Sequence, residues 1–241
     1  SIALFICLSY TAVLLFAPAH PAVALVSHIL VPTVLWVLAV QRTEPSSWAK
    51  SVLTGLGGVY LVTSMVVLLI HYLPGPIPRS AIALVGAAMA IVPLLTLYRT
   101  KGNPISDRFP KASWLGLVLI LAAVLRLARI AWNEIEGDEA LILMQASQAI
   151  AGREDIVFWH KKGPAELLIP MVAWLSSGTM SEGIARTPFA ILSIAAVLSG
   201  YEFSRRWSGK ESALISAALI ATNGYFVAYG RIVQYQSVIL L

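Results

Sequence analysis

Long apolar runs recur along this chain and restrict its fold more than any other feature. They cover residues 2–18, 23–40, 52–72, 81–98, 114–132, 184–203 and 212–228. A helix needs about 20 mostly apolar residues to cross the hydrocarbon core of a bilayer. Hydrophobic residues make up 58% of the chain and charged residues only 12%, whereas soluble domains carry about 25% charged residues. The sequence therefore predicts an all-α, polytopic integral membrane protein. It argues against a soluble enzyme, a disordered chain and a nucleic-acid-binding domain.

The two ends of the chain indicate a piece of a longer protein. Ser1 is not a methionine, Leu241 lies inside an apolar stretch, and a further span is expected to begin at about Val238. No basic segment precedes the first apolar run, so a cleavable signal peptide is not expected. The single cysteine, Cys7, lies in an apolar run and gives no basis for a disulfide scaffold or a cysteine zinc site.

Basic residues predict the orientation, because the cytoplasmic loops of membrane proteins are enriched in lysine and arginine. Three loops carry most of them: Arg42 and Lys50; Arg99, Lys101, Arg108 and Lys111; Arg205, Arg206 and Lys210. All three loops lie in the cytoplasm only if the short apolar stretch 164–175 does not cross the membrane. This stretch contains Glu166 and Pro170 and is too short to span. We therefore expect it to lie along the membrane interface or to dip into it.

Carboxylates are concentrated between two of the spans, in the segment 133–183. This segment holds eight of the 12 acidic residues of the chain: Glu134, Glu136, Asp138, Glu139, Glu154, Asp155, Glu166 and Glu182. The topology makes it a long extracytoplasmic loop, expected to contain amphipathic interfacial helices. Any chemistry that this protein performs is therefore expected in this loop.

The strongest candidates in the loop are the adjacent Asp138 and Glu139. In one interpretation they only stabilise the start of a helix that runs to about Ala151, with Asp138 as the cap and Glu139 in the first turn. In the other they are functional, because clustered carboxylates repel one another unless a cation or a basic group compensates. Neighbours on a helix point about 100° apart. One carboxylate would therefore face a substrate while the other orients it or holds a metal.

Lysines follow in the same loop, where Lys161 and Lys162 come after Trp159 and His160. In the functional interpretation a lysine meets a lipid phosphate at the headgroup level. The alternative is an interfacial belt of aromatic and lysine side chains. His160 would need a second good ligand to hold a metal, and none is close to it in sequence.

Arginines lie at the same side of the predicted membrane. Arg126 lies about 9 Å deeper than Trp132 along its helix, and an arginine inside a span marks a site or an anionic partner. Arg231 follows the last complete span. Several cations beside a carboxylate cluster suit an anionic lipid headgroup together with a general base.

Five motifs follow one another in the second half of the chain: Asp138-Glu139 after a span, Lys162-Gly163-Pro164, Arg186-Thr187-Pro188, Arg205-Arg206-Trp207-Ser208-Gly209-Lys210, and the small-residue span 212–223 that leads to Gly230-Arg231. Their order and spacing resemble the membrane glycosyltransferases of the GT-C type. The specific resemblance is to family 39, which is protein O-mannosyltransferase-like and includes the related lipid A aminoarabinose transferases. It covers residues 113–241.

The resemblance implies a function and a set of site residues. In that family a sugar is moved from a polyprenyl-phosphate carrier to an acceptor on the extracytoplasmic side. Asp138 would be the catalytic carboxylate, with Glu139 in support. Four basic residues would bind the donor phosphate: Lys162, Arg231, Arg126 and Lys161. Three further residues would lie near the acceptor or a metal: His160, Glu136 and Gln236.

The chain departs from the family pattern at two positions. Gly163 stands where many relatives have proline, and Gln236 falls where many have an acidic residue. A divalent metal, with Asp138 as its ligand, is therefore left open.

The sequence predicts two parts, four N-terminal transmembrane helices of unknown role in 1–100 and the first part of a GT-C core in 113–241. The protein would be a multi-pass protein of the cell membrane (the cytoplasmic membrane in a prokaryote). Its partners would be a polyprenyl-phosphate-linked sugar, an acceptor and membrane lipids, without nucleic acid.

Two alternatives are a transporter or channel with the acidic loop as its vestibule, and a relative without activity. A transporter predicts ionisable residues at mid-bilayer, and the spans before residue 113 contain none deep inside.

Overall fold

The computed structural model describes residues 20–43, 47–100 and 114–240, and these residues form helices without any strand. In chain order the elements are α1 (Pro21–Thr43), α2 (Trp48–His71), α3 (Arg79–Arg99), α4 (Trp114–Leu127), α5 (Gly137–Ile150), a 3₁₀ turn (Ile156–Trp159), α6 (Ala165–Ser177), α7 (Glu182–Thr222), α8 (Gly224–Tyr229) and α9 (Gln236–Ile239). The prediction of an all-α chain is confirmed for these residues. The predicted span 2–18 lies outside them, as do six residues named above: Ser1, Cys7, Lys101, Arg108, Lys111 and Leu241.

Within the described ranges, four helices are long and apolar enough to cross a membrane, namely α1, α2, α3 and α7. Large apolar side chains are exposed on their outer faces; Leu69 is 67% exposed and Leu84 71%. Soluble proteins rarely leave apolar surface of this extent in contact with water. The described chain therefore has the character of a multi-pass membrane protein.

Helix α4 is shorter than the predicted span 114–132. It ends at Leu127, and Arg129 adopts a left-handed backbone conformation with φ of 50°. The guanidinium of Arg231 covers this helix end by donating to the carbonyl oxygens of Leu125, Ala128 and Arg129 at 2.9–3.0 Å. The last carbonyl oxygens of the helix thus accept hydrogen bonds from a side chain outside it, and the helix ends there.

Helix α7 contains two helical segments that meet at Gly209, where φ is 82° and ψ is −177°. The predicted turn between the last two spans is confirmed at this glycine. The second segment ends at Thr222, so the predicted span 212–228 is too long. Asn223 ends it because its backbone is extended and its Oδ1 accepts the N–H groups of Tyr225 and Phe226, which begins α8 as a separate helix.

Small residues join α7 to α4. Ala213, Ala217 and Ala221 recur every fourth position on the second segment of α7 and are fully buried with Ala122 of α4. Residues spaced by four lie on one face of a helix, and small side chains there let two membrane helices approach closely.

Helix α6 corresponds to the apolar stretch 164–175, which the sequence predicts to lie along the membrane interface or to dip into it; in the structure it lacks the exposed face of an amphipathic helix. Every residue from Glu166 to Ser177 is buried, and the helix contacts α1, α2, α3, α5 and α7. Its uniformly apolar sequence explains this, since a helix that is hydrophobic on all sides is stable when other elements surround it. Helix α6 is thus the centre of the main core rather than a surface element.

The α2–α3 turn docks onto the segment that follows α5. The N–H group of Ile77 donates to the carbonyl oxygen of Ile150 at 2.9 Å, and His71 Nε2 lies 3.0 Å from the carbonyl oxygen of Glu154. Gly152 has a φ of 96°, and a Cβ atom there would lie 2.7 Å from the carbonyl carbon of Gly75. Glycine is therefore needed at 152 both for its conformation and for this close approach.

Candidate functional site

The site is built around the first turn of α5. This helix begins at Gly137, its N-cap residue is Glu136, and no side chain caps it. The interpretation in which Asp138 caps the helix is therefore wrong. Asp138 and Glu139 lie in the first turn and point in different directions, as predicted: Asp138 is exposed and Glu139 is fully buried.

Asp138 forms an exposed ion pair with Lys162. The Nζ atom of Lys162 donates to Asp138 Oδ2 at 2.8 Å, and the side chains are 38% and 59% exposed, respectively. The hydrogen bond from Lys162, followed by its charge, lowers the pKa of Asp138. The same hydrogen bond raises the pKa of Lys162. Both groups are therefore charged at neutral pH, and the predicted acid and cation lie side by side.

A tight turn presents Lys162 to Asp138. The N–H group of Gly163 donates to the carbonyl oxygen of His160 at 3.4 Å, and Gly163 has a φ of 97°. Proline cannot adopt this conformation, because its ring holds φ near −65°. Gly163, which stands where many members of the resembled family have proline, therefore allows the turn that carries Lys161 and Lys162. Lys161 is also exposed.

Glu139 forms a buried, bidentate ion pair with Arg186. Arg186 Nε lies 2.8 Å from Oε1 and Nη2 lies 2.6 Å from Oε2, and both side chains are 0% exposed. The same guanidinium donates to the carbonyl oxygens of three residues in the α4–α5 connection, Ile130, Asn133 and Glu134. A planar guanidinium with five N–H donors suits such a junction. Glu139 therefore holds the site together and does not face the surface where Asp138 lies.

Two buried carboxylates also hold the segment 231–236 against the site. Glu139 Oε1 accepts the N–H group of Val233 at 3.0 Å, and Glu166 Oε1 accepts the N–H group of Tyr235 at 2.7 Å. A buried carboxylate needs several donors to remain stable away from water. These bonds fix a segment that lies about 70 to 95 residues further along the chain, which sequence reasoning did not anticipate.

His160 is part of this buried network and not a solvated side chain. Its Nε2 atom lies 2.6 Å from Glu166 Oε2 and its Nδ1 atom 3.2 Å from Gln145 Oε1, and its side chain is 7% exposed. It therefore ties the turn that carries Lys162 to the start of α6 and to the middle of α5. The sequence shows Glu166 as a charge inside an apolar stretch, whereas nothing in the sequence identified His160 as its partner.

The two remaining acceptor candidates, Glu136 and Gln236, lie far apart in the chain and differ in their contacts. Glu136 Oε2 accepts Gln234 Nε2 at 3.2 Å. Gln236 Oε1 is buried and has no hydrogen-bond partner within the described part of the chain. Gln234 was not predicted; it is buried, and its bond to Glu136 attaches the 231–236 segment to the start of α5.

The two arginines among the predicted phosphate-binding residues make internal contacts. Arg126 is fully buried; its guanidinium donates to Ser193 Oγ at 2.7 Å and to the carbonyl oxygens of Ala221 and Ile220 at 2.9 and 3.1 Å. Arg231 is bonded to the end of α4, as described above. Both guanidiniums thus connect helices, whereas Lys162 is exposed and bonded to Asp138 and Lys161 is exposed beside it in the chain.

A metal site would need several ligand side chains in one place. Among residues 20–43, 47–100 and 114–240, no group of three histidine, cysteine, aspartate or glutamate side chains is arranged to hold a metal ion. The sequence left open whether Asp138 binds a metal; in the structure its carboxylate pairs with the ammonium of Lys162.

Comparison with known proteins identifies no relative: no family model, no curated protein and no solved structure matches this chain. The resemblance to GT-C glycosyltransferases therefore stays a prediction that rests on the motifs.

Proposed function

We propose that this protein is a membrane glycosyltransferase of the GT-C type, which moves a sugar from a polyprenyl-phosphate carrier to an acceptor hydroxyl on the extracytoplasmic side. The observation that carries the proposal is the exposed pair of Asp138 and Lys162, with 2.8 Å between carboxylate and ammonium. Such a pair supplies the two groups that glycosyl transfer from a phosphate needs, a base and a cation. It lies at the end of a helical bundle suited to a membrane, where a lipid carrier would present its headgroup.

The reaction assigns one task to each member of the pair. The acceptor oxygen forms a bond to the anomeric carbon of the sugar while its proton passes to the Asp138 carboxylate. The bond between that carbon and the phosphate oxygen breaks, and its electron pair remains on the departing polyprenyl phosphate. The Lys162 ammonium neutralises this developing charge, with Lys161 as the adjacent exposed cation. Arg126 and Arg231 take no direct part, because they connect helices.

The ion pair also suggests how the donor prepares the base. In the free protein Lys162 lowers the pKa of Asp138, which makes the carboxylate a weaker base. A donor phosphate that attracts the ammonium would loosen the pair and let the pKa of Asp138 rise. Asp138 would then become more basic when the donor is bound.

The basic residues support an extracytoplasmic location of the pair. Asp138 and Lys162 lie near the end of the bundle where α2 ends and α3 begins, because the α2–α3 turn docks onto residues 150–154. Arg42, Lys50 and Arg99 lie at the other ends of these helices. Under the positive-inside rule that other end faces the cytoplasm.

Transfer by the purified full-length protein tests the proposal, with radiolabelled polyprenyl-phosphate sugars and a panel of hydroxyl acceptors. Replacing Asp138 by asparagine should lower the rate by about a hundred- to ten-thousand-fold, because the general base is removed. Asp155→Asn is the matched control, since Asp155 is also half-exposed and paired, in its case with Arg153. Equal rates in the two variants would contradict the catalytic assignment.

The cation is tested in the same assay. Lys162→Ala should raise the KM for the donor more than the KM for the acceptor, and Lys210→Ala, an exposed lysine at the Gly209 turn, should change neither. An unchanged donor KM in Lys162→Ala would contradict the role of Lys162. Cation flux through proteoliposomes without any sugar transfer would favour the transporter alternative instead.

A further inference from the structure

We infer that a tyrosine-rich surface beside the Asp138–Lys162 pair is a binding subsite for a sugar ring. Four side chains that are exposed or partly exposed define this tyrosine surface: Tyr225, Tyr229, Tyr235 and Glu136. The inference rests on the proposed function, because it assigns a place to the sugar that the pair would act on. It goes beyond that proposal by naming side chains that would contact a carbohydrate.

Aromatic rings provide the first property of the surface. The ring centroids of Tyr225 and Tyr229 are 4.5 Å apart, and Tyr225 is 60% exposed. The cap that Asn223 forms at the start of α8 fixes the first of these rings, because Asn223 Oδ1 accepts the Tyr225 N–H group at 3.0 Å. The face of an aromatic ring carries partial negative charge, which attracts the C–H groups on the apolar face of a pyranose.

Hydrogen-bonding groups provide the second property. Glu136 Oε2 accepts Gln234 Nε2 at 3.2 Å, which leaves the carboxylate with further acceptor capacity. A hydrogen bond with Tyr225 raises the pKa of Tyr229, followed by the charge of Tyr225, burial, and the charges of Glu136 and Tyr235. The phenol of Tyr229 therefore keeps its proton at neutral pH. Sugar hydroxyl groups, which donate and accept, match such a mixture of groups.

The tyrosine surface is continuous with the ion pair. Lys162 Nζ lies 6.0 Å from the ring centroid of Tyr235, and Glu136 precedes Asp138 by two residues. Tyr235 is held in place through its backbone, whose N–H group is bonded to the buried Glu166. A sugar resting on the rings would therefore have its hydroxyl or anomeric carbon close to Asp138.

Charge favours a sugar over an anionic lipid headgroup as the occupant. Tyrosines near a membrane surface often form a belt that meets headgroups. Here the charge of Glu136 acts on the phenol of Tyr229, and the same carboxylate would repel phosphate. A neutral polyol accepts hydrogen bonds from tyrosine and donates to the carboxylate without this penalty.

Saturation-transfer NMR tests the subsite with the full-length protein in phosphatidylcholine nanodiscs. The probes are three methyl glycosides, the α-mannoside, the β-glucoside and the α-galactoside. At least one should receive saturation through its ring protons. Tyr225→Leu and Tyr229→Leu should each weaken its binding by about two- to tenfold, the range expected for one aromatic contact. Tyr229→Phe, which keeps the ring, should weaken it less.

Tyr98→Leu is the matched control, because Tyr98 is 89% exposed at the far end of α3. It should leave glycoside binding unchanged. The subsite is overturned if no glycoside binds, if the two leucine variants bind as the wild type does, or if the control loses binding equally. Equal losses would indicate that exposed tyrosines act only at the lipid surface.

The subsite and the proposed function can fail separately. Asp138→Asn should keep glycoside binding while it loses transfer, which supports both. Glycoside binding that depends on Tyr225 and Tyr229, in a protein without transfer activity, would support the subsite and contradict the glycosyltransferase. Transfer that is unaffected by the leucine variants would contradict the subsite and leave the glycosyltransferase supported.

Discussion

Exchanging Glu139 for glutamine tests how the site is held together. The Glu139 carboxylate accepts three donors, Arg186 Nε at 2.8 Å, Arg186 Nη2 at 2.6 Å and the Val233 N–H group at 3.0 Å, and both side chains of the pair are fully buried. Glutamine keeps the shape of the side chain. It loses the charge, however, and turns an amide N–H group towards one of these donors. Breaking a buried ion pair from one side costs about 3–5 kcal/mol, because the remaining charge stays buried and unpaired.

This cost predicts a large loss of thermal stability. For a chain of this size 1 kcal/mol corresponds to roughly 2–4 °C in Tm, so Glu139→Gln should unfold about 6–20 °C lower than the wild type. The assay is thermal unfolding of the purified protein in nanodiscs, combined with amide hydrogen exchange. Exchange at Val233 should also become faster, because its N–H group loses the carboxylate that accepts it.

Glu182→Gln provides the matched control. Glu182 is the second carboxylate near Arg186, at 3.9 Å, but its side chain is 39% exposed. An exposed pair at this distance contributes about 1 kcal/mol or less. If Glu139→Gln and Glu182→Gln shifted Tm equally, or if exchange at Val233 stayed slow in Glu139→Gln, the reasoning about the buried pair would be refuted.

Two further predictions concern the backbone and the exposed pair. Gly152→Ala should lower Tm more than Gly163→Ala does. Both glycines have φ near +97°, but of these two only position 152 would bring the new Cβ atom against backbone, at Gly75. Equal shifts in Tm would contradict the close approach of residues 75 and 152. Because Lys162 lowers the pKa of Asp138, the stability that this pair contributes is present at neutral pH and is lost as the pH falls through that lowered pKa. Lys162→Met should move the Asp138 titration to higher pH in carbon-13 NMR of labelled aspartate, and an unchanged titration would contradict the pairing.

Apolar periodicity predicts the helices well but does not predict where they end. The run 114–132 is apolar enough to continue to Trp132, yet α4 ends at Leu127 because Arg231, more than a hundred residues later, bonds its last carbonyls. A tertiary contact of this kind leaves no local signal. The sequence did not predict the burial of α6 either, because a short apolar stretch of this length is compatible with a membrane interface and with a protein core.

Within the site, local geometry could be predicted and partners could not. The helical spacing of Asp138 and Glu139 implies that they point apart, and the structure confirms this. The contact of Asp138 with Lys162 bridges 24 residues, and such loop closures depend on the whole fold. Arg126 was correctly noticed as an unusual charge in a span. Its partners, however, are the hydroxyl of Ser193 and two carbonyl oxygens of α7, and no local pattern in the sequence marks them.

The proposed glycosyl transfer requires the Asp138–Lys162 pair to face the extracytoplasmic side of the membrane, and cysteine labelling measures this directly. With Cys7 replaced by serine, single cysteines are introduced as Asp155→Cys, in the same segment as the pair, and Lys210→Cys, next to the Gly209 turn. Intact cells are treated with a membrane-impermeant maleimide. We predict that the cysteine at 155 is labelled in intact cells and that the cysteine at 210 is labelled only after permeabilisation. The reverse pattern would place the acid and the lysine in the cytoplasm and contradict the proposed transfer at the outer surface.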